Sequence, residues 1–332
     1  MKKYSIILPV RNGGDLVKEC VQSILSQTHT DFTLQVLDNC STDGTAEWIN
    51  GLDDSRIEFY PAAEPLTIEQ NWKRILGLQK NEFITLIGHD DILHPHYLET
   101  MEALIQQHPD ASLYQAHFIF IDGKGNVIRP CQPMAEIQYA DEFLACEFTQ
   151  TLDSMGTGYM MRSKDYNATG GIATDFPKLI FADYTLWVKL ILISYKATTA
   201  VTAFSYRLHD STSKLTNGED YQESFGKYVY FLAGLRKAHE KIADTLDRYG
   251  KQFLLYYCES LSHRLLKTPR SQRNTTVMQY IGKCRQYAAL LIPGQSFHPM
   301  SKVRIFLAAL LDNKPGIFIF NSIKRYTGKG QS

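Results

Sequence analysis

No Cys-x-x-Cys pair occurs in the 332 residues, and the six cysteines (Cys20, Cys40, Cys131, Cys146, Cys258 and Cys284) are scattered. In a chain this long, that spacing excludes a zinc ribbon and a small disulfide scaffold, and reduced core thiols are expected. Net charge is missing too. Thirty-five basic residues balance thirty-five acidic ones, so nucleic acid is not expected as a partner held by bulk electrostatics. Long apolar runs are also absent: stretches such as 186–194 and 305–311 fall far short of the roughly 20 residues needed to cross a bilayer. The opening Met1-Lys2-Lys3-Tyr4 leads into only six apolar or small residues before Arg11, too few for an export signal. A cytoplasmic protein is expected. No internal repeat or low-complexity tract interrupts the chain.

What is present is a globular composition, with 44% hydrophobic and 12% aromatic residues. That apolar fraction supports a large core and argues against disorder. The length suits two domains, or one large α/β domain with an added segment. The zero net charge hides an asymmetry. Residues 1–213 hold 16 Lys and Arg against 27 Asp and Glu, whereas residues 214–332 hold 19 against 8. The split reads either as an acidic catalytic domain over 1–213 joined to a basic helical region over 214–332 that meets an anionic surface, or as a plain solvated helical face.

Strand and helix signals alternate over the first hundred residues. The apolar run 5–10 stops at Asn12-Gly13-Gly14 and reads as a buried strand and turn. A helix follows, with Asp15 as its N-cap and Leu16, Cys20 and Ile24 on one stripe. Further strands are predicted over 34–37, 56–60 and 83–87, with helices over 46–51 and 68–79. Such alternation predicts a mostly parallel sheet with helices on both faces. A hairpin is expected where 113–121 and 127–129 flank Asp122-Gly123-Lys124-Gly125-Asn126. Helical patterns return at 141–148 and 184–194. From about Ser213 onward the chain reads as helices only, over 221–239, 242–267 and 277–291, with a break at 268–274.

In an open parallel sheet, ligands bind beyond the carboxyl ends of the strands. Three loops leave such ends, over 9–14, 38–45 and 88–91, and all are rich in carboxylates or small polar groups. Together they suit a divalent cation carrying a diphosphate, because Mg²⁺ and Mn²⁺ take hard oxygen ligands and leave positions for phosphate oxygens. Asp38 and Asp43 also fit simple helix capping. Asp90-Asp91 is different: two adjacent carboxylates at the end of a buried strand repel each other and need a cation or strong donors nearby. The first strand lacks the G-x-G-x-x-G turn of a nicotinamide dehydrogenase, which excludes that class.

The ordered motifs resemble the family 2 glycosyltransferases, over roughly residues 3–213. Ser5-Ile6-Ile7-Leu8-Pro9-Val10-Arg11-Asn12 is similar to the family's opening strand and P-x-x-N turn, and Ser23-Ile24-Leu25-Ser26-Gln27-Thr28 to its first helix. Val36-Leu37-Asp38-Asn39-Cys40-Ser41-Thr42-Asp43-Gly44-Thr45 resembles the V-D-D-G-S-T-D-G-T loop. Glu69-Gln70-Asn71-Trp72 is similar to its [ENR]-N-W segment, and Gly88-His89-Asp90-Asp91 stands in the D-x-D-D place. Gly156-Thr157-Gly158-Tyr159-Met160 with Gly170-Gly171 resembles the acceptor-side segment. Phe181-Ala182-Asp183-Tyr184-Thr185-Leu186-Trp187 is similar to E-D-x-D-L-W, and Tyr206-Arg207-Leu208-His209 to Y-R-x-H. Gly88 departs from the first Asp of D-x-D, and Ala182 from the Glu beside the expected base.

The resemblance implies a GT-A fold, a Rossmann-like α/β sheet flanked by helices, here with a C-terminal helical extension. It implies an inverting transfer from a nucleotide-diphosphate sugar, UDP being the commonest nucleotide, to a hydroxyl of a glycan or lipid-linked glycan. Pro9, Val10, Arg11, Asn12, Asp38, Asn71, Asp90 and Arg207 would contact the donor. Asp90, Asp91 and His209 would hold Mg²⁺ or Mn²⁺, and Asp183 would be the general base. Without the resemblance, Asp183 reads first as an N-cap for the helix over 184–194. Trp72 and Trp187 are expected in the core, and His89 and His94 at the surface or behind the site. Arg270, Arg273, Lys283, Arg285, Lys302 and Arg304 lie among apolar stretches of the tail. That mixture suits peripheral contact with an anionic membrane at its inner face. A helical cap over the sheet or a homo-dimer contact is the plainer reading. A non-catalytic sugar-nucleotide binder or scaffold of the same fold is the alternative function.

Overall fold

The computed structural model describes residues 2–208, 216–268, 270–313 and 315–318. Its contacts divide the chain into two compact units. The first comprises Met1–Phe143, Thr151–Asp175 and Ala182–Ser211; the second comprises Leu144–Gln150, Phe176–Phe181 and Thr212–Ser332. The charge asymmetry at 213/214 therefore falls close to one of their junctions. The second unit also takes in two short segments that composition did not assign to it.

In the first unit, ten strands among the described residues form one sheet. They are β1 (Tyr4–Val10), β2 (Phe32–Asp38), β3 (Ile57–Pro61), β4 (Phe83–Leu86), β5 (Ile92–Leu93), β6 (Leu113–Ile121), β7 (Val127–Pro130), β8 (Ile137–Gln138), β9 (Tyr159–Arg162) and β10 (Lys196–Arg207). The order is β3-β2-β1-β4-β9-β6-β10-β5, with β7 beside β6 and β8 beside β10. Strands β1 to β4 pair in parallel, as does β6 with β10, while β9 runs antiparallel between β4 and β6. Every residue of β1 and β2 is buried. Continuous apolar runs rather than alternating ones are what a parallel strand covered on both faces requires.

Helix α1 (Gly14–Leu25) buries Val17, Cys20, Val21 and Ile24, so its stripe is turned from the expected one and Leu16 is only half-buried. Gly13 rather than Asp15 sits at its N-cap; Asp15 is exposed in the first turn and pairs with Lys18 at 2.9 Å. Helix α2 spans Thr45–Asn50 and α3 spans Ile68–Lys73. The α3 helix starts in a capping box, with Thr67 Oγ1 accepting from the Gln70 N–H and Gln70 Oε1 from the Thr67 N–H. It was expected to run to residue 79, but it tightens to a 3₁₀ turn over Arg74–Gly77. Lys80 Nζ then donates to the carbonyls of Ile75, Leu76 and Leu78, which satisfies acceptors that a longer helix would have used. Helices α4 (Tyr97–Gln107), α5 (Ala140–Phe148), α6 (Ser163–Ala168) and α7 (Ala182–Ile191) complete the alternation.

The second unit carries the helices α8 (Gly218–Ala238), α9 (Glu240–Lys267), α10 (Val277–Leu291) and α11 (Val303–Leu310). Asn217 caps α8, accepting from the Glu219 and Asp220 N–H groups, and a Thr276–Gln279 capping box opens α10. The core is aromatic: Phe225 stacks on Tyr257 at 4.6 Å, and Phe181 on Tyr228 at 5.3 Å. Arg273 bridges to Asp312, whose other oxygen accepts from the Val277 N–H. All six cysteines are free; Cys20, Cys131, Cys258 and Cys284 are buried, and Cys40 and Cys146 half-buried.

Gly158 closes the approach to β9 at φ +78°, and a methyl group added there would be driven into the Phe204 ring. Phe204 is itself stacked on Phe118 at 4.8 Å and cannot retreat. Gly158→Ala is therefore expected to cost about 2–3 kcal/mol through backbone strain and overpacking. A lowered urea midpoint checks this, and an unchanged midpoint would contradict it.

Candidate active site

The carboxyl ends of β1, β2 and β4 open onto one rim of the sheet, and their loops are laced together by polar side chains. The Asn12 N–H donates to Ser41 Oγ, and Asn12 Oδ1 accepts from the Thr42 N–H. The Gly13 N–H donates to Thr45 Oγ1, and the Gly14 N–H to Asp43 Oδ2. Asn12 adopts a positive φ of 53° to make these contacts, which Asn tolerates better than most residues. Pro9 and Val10 are buried, while Arg11 and Asn12 are exposed.

Asp38 ends β2 and is buried, its Oδ2 accepting from the Ser41 N–H. Its Oδ1 has no hydrogen-bond partner among the described residues. Asn39 fixes the neighbouring loop by pairing both side-chain atoms with the backbone of Leu66. Asn71 is buried and engaged: Nδ2 donates to the Leu37 carbonyl, and Oδ1 accepts from Arg74. Arg74 also reaches the carbonyls of Asp38, Tyr60 and Pro61. Asn71 and Arg74 thus brace the Asp38 strand end from behind.

Beyond β4 the chain turns at Gly88, and the two carboxylates converge on the space its missing side chain leaves. A methyl group at Gly88 would lie 2.8 Å from Asp90 Oδ1, 3.1 Å from Asp91 Oδ2 and 3.4 Å from Thr157 Oγ1. Asp91 is 2% exposed, and its Oδ1 accepts from the Arg207 N–H at 2.9 Å. Burial, reinforced by the charge of Asp90, pushes the Asp91 carboxyl well above the usual range; the bonds from Arg207 and Thr157 and the Arg207 charge oppose this without winning. The Thr157 hydroxyl also accepts from the Gly88 N–H at 3.0 Å. Two carboxylate oxygens aimed at one small space form a hard-oxygen donor pair of the kind a divalent cation takes. No cluster of three or more such ligands occurs among the described residues. His209, expected as a third ligand, lies outside them.

Arg207 is held by protein acceptors. Its guanidinium is buried, with Nε on the Asp90 carbonyl, Nη1 on the carbonyls of Asp122 and Gly123, and Nη2 on Glu19 Oε2 at 2.6 Å. With four hydrogen bonds to protein oxygens it ties together the Asp90–Asp91 turn, the β6–β7 hairpin and α1. In this arrangement its guanidinium faces protein acceptors.

Asp183 stands in the first turn of α7, which begins at Ala182, two residues earlier than expected, so Asp183 is not its N-cap. Its side chain is half-buried, and Oδ1 accepts from the Tyr184 N–H at 2.9 Å. Burial pushes the carboxyl up to about 6 despite that bond. A methyl group at Gly156 would lie 3.9 Å from Asp183 Oδ2. Gly156 and Thr157 thus bring Asp183 and the Asp90–Asp91 turn against the same short loop. Tyr206 is half-buried near the same carboxylates. Burial first, then the negative charges of Asp91, Asp90 and Asp183 together, push its phenol upward.

Thr157, Tyr206 and Gly88 stand inside the sequence motifs without an expected role, and Glu19 stands outside all of them. Glu19 is an ordinary exposed helix residue in the sequence, and nothing local marks it. Trp187 is buried, with its indole N–H on the Met155 carbonyl, whereas Trp72 is only half-buried. His94 is held by Ser205 Oγ and the Thr202 carbonyl, behind the rim.

The Campylobacter jejuni GalNAc(5)-diNAcBac-PP-undecaprenol beta-1,3-glucosyltransferase is 26% identical over 331 residues, which are 92% of this chain and 99% of that protein. The Streptococcus pneumoniae glycosyltransferase GlyG is 25% identical over 124 residues, 37% of this chain; the matched stretch spans 41% of GlyG, less than half its length. Among solved structures, S. aureus TarS 1-349 in complex with UDP-GlcNAc superposes with a TM-score of 0.66 at 15% identity, covering 99% of this chain and 92% of that one. That likeness bears on the fold, which is the α/β GT-A arrangement the sequence motifs implied. The model of the glycosyl transferase family 2 matches residues 5–170, half of the chain and all three loops of the rim, and the chain belongs to that family.

Proposed function

We propose that this chain is an inverting glycosyltransferase that moves a hexosyl or N-acetylhexosaminyl group from a UDP-sugar to a hydroxyl of a lipid-linked glycan, in the synthesis of a surface polysaccharide. The observation that carries the reading is the convergence of Asp90, Asp91 and Asp183 on one short loop at the carboxyl ends of the strands. The Campylobacter relative, whose name specifies an undecaprenyl-pyrophosphate-linked acceptor, supports the acceptor class. The UDP-GlcNAc complex of the staphylococcal neighbour supports the donor nucleotide.

Asp38, with a buried oxygen still lacking a partner, is suited to a donor group of the base or ribose, and Pro9, Val10, Arg11 and Asn12 line the same rim. Asp90 and Asp91 would hold Mg²⁺ or Mn²⁺, with His209 as a further ligand; the cation supplies electrostatic stabilisation of charge developing on the departing diphosphate. Asp183 accepts the proton of the acceptor hydroxyl as its oxygen bonds to the anomeric carbon. The bond to the diphosphate breaks on the opposite face, so configuration inverts. Asn71 and Arg207 act as braces for Asp38 and for the Asp90–Asp91 turn. A lipid-linked acceptor sets the reaction at a membrane face, and the basic region 214–332 is the part of the chain suited to meet it.

Asp183→Asn is expected to lower kcat by roughly 10²- to 10⁴-fold. UDP binding, read by thermal shift, should stay nearly intact. Unchanged transfer would remove Asp183 from the mechanism, and loss of nucleotide binding would make its role structural. Because a base must be ionised and the Asp183 carboxyl is raised to about 6, kcat/KM should fall as pH drops through that value. A profile flat from pH 5 to 8 would contradict the assignment. Gly88→Ala should displace the Asp90 carboxylate and weaken Mn²⁺-dependent UDP binding by about tenfold or more in calorimetry. Undiminished binding would mean that the space beside Gly88 is not the cation site.

A further inference from the structure

On the second unit, α11 is apolar on both of its faces. Ile305 and Ala308 are buried against the other helices, yet Val303, Phe306, Leu307 and Leu310 are 70%, 44%, 46% and 57% exposed. Their spacing of three, four and seven residues sets them on one face of the helix. Phe318, a short way beyond, is 75% exposed. A surface helix ordinarily turns charged residues outward, and a clustered exposed apolar stripe marks a site that something else covers.

The charges around the stripe say what covers it. Lys302 and Arg304 flank it and are exposed, Arg304 making a surface pair with Glu259 at 3.0 Å. The one acidic residue between Lys302 and Phe318 is Asp312, and it is turned inward onto Arg273 and the Val277 N–H. The whole region 214–332 carries 19 basic against 8 acidic residues. A second copy docking through this face would bring like charge onto like charge, whereas an anionic lipid surface meets both requirements. Apolar side chains enter the boundary between headgroups and acyl chains while Lys and Arg remain at the phosphates. No helix among the described residues is long and apolar enough to cross a membrane, so the contact is peripheral.

We infer that the Val303–Phe306–Leu307–Leu310 face, with Phe318 and the flanking Lys302 and Arg304, is a docking surface for an anionic lipid bilayer. It needs neither donor nor acceptor and stands apart from the transfer reading. The test is flotation of the full chain with vesicles of phosphatidylcholine alone and of phosphatidylcholine mixed with phosphatidylglycerol, without nucleotide. The parent chain should float with the anionic vesicles only. Phe306→Asp combined with Leu310→Asp, and separately Lys302→Glu combined with Arg304→Glu, should each weaken partition by about tenfold or more. All four side chains are exposed, so UDP binding should match the parent, and unfolding midpoints should shift only by the loss of the surface pair of Arg304 with Glu259. Absence of the parent from anionic vesicles overturns the inference, as does parental binding by both double variants. A parent that is dimeric by light scattering, made monomeric by Phe306→Asp and showing no vesicle uptake, would assign the face to a second copy instead.

Discussion

Two carboxylates cannot share a buried corner without compensation, and the rim of this sheet is organised around that constraint. Asp90 and Asp91 follow a buried strand and crowd the space left by the absent Gly88 side chain. Burial and mutual repulsion raise the Asp91 carboxyl, and the Arg207 N–H and the Thr157 hydroxyl recover only part of that cost. Gly88 then has a physical meaning: a side chain there would occupy the volume the carboxylates need.

Arg207 transmits the constraint to the rest of the first unit. It donates to Glu19 on α1, to carbonyls of the β6–β7 turn and to the Asp90 carbonyl, while its own N–H holds Asp91. One buried cation thereby fixes three separate chain segments around the carboxylate pair. A charged donor buried this deeply is tolerable because its hydrogen bonds are made and a carboxylate sits opposite it. On the neighbouring strand end, Arg74 and Asn71 hold the backbone carbonyls of Asp38 and Leu37, and leave the Asp38 carboxylate to its own loop. The second unit is built on different physics, with stacked aromatic rings in its core and basic charge on its sequence.

Much of the frame was legible in the residue pattern. The apolar run of β1, the turn after it and the hairpin at Asp122–Asn126 were placed to within a residue or two, because continuous burial and turn chemistry leave local signals. The strand β10 gave no such signal: Lys-Ala-Thr-Thr-Ala-Val-Thr-Ala is neither alternating nor strongly apolar, and only its neighbours β6, β8 and β5 make it a strand. Helix α3 gives way to a 3₁₀ turn whose carbonyls, and that of Leu78, Lys80 satisfies, an interaction that propensity does not contain. The Asp90–Asp91 pair and Asp183 could be singled out in the sequence, but the adjacency of Gly156 to Asp183, and of Thr157 to Gly88, joins residues far apart in the chain.

The sequence by itself determined the order of the first four strands and the helices between them, the loops that carry the acidic groups and the contrast in charge between the two parts of the chain. Those properties are local, written in periodicity, turn residues and composition. Only the tertiary structure decided that Arg207 turns inward to Glu19, that Gly88 is a cradle, and that one apolar face of α11 is left uncovered. Each depends on which distant segments meet, and a side chain's direction is fixed by the partners that packing brings within its reach.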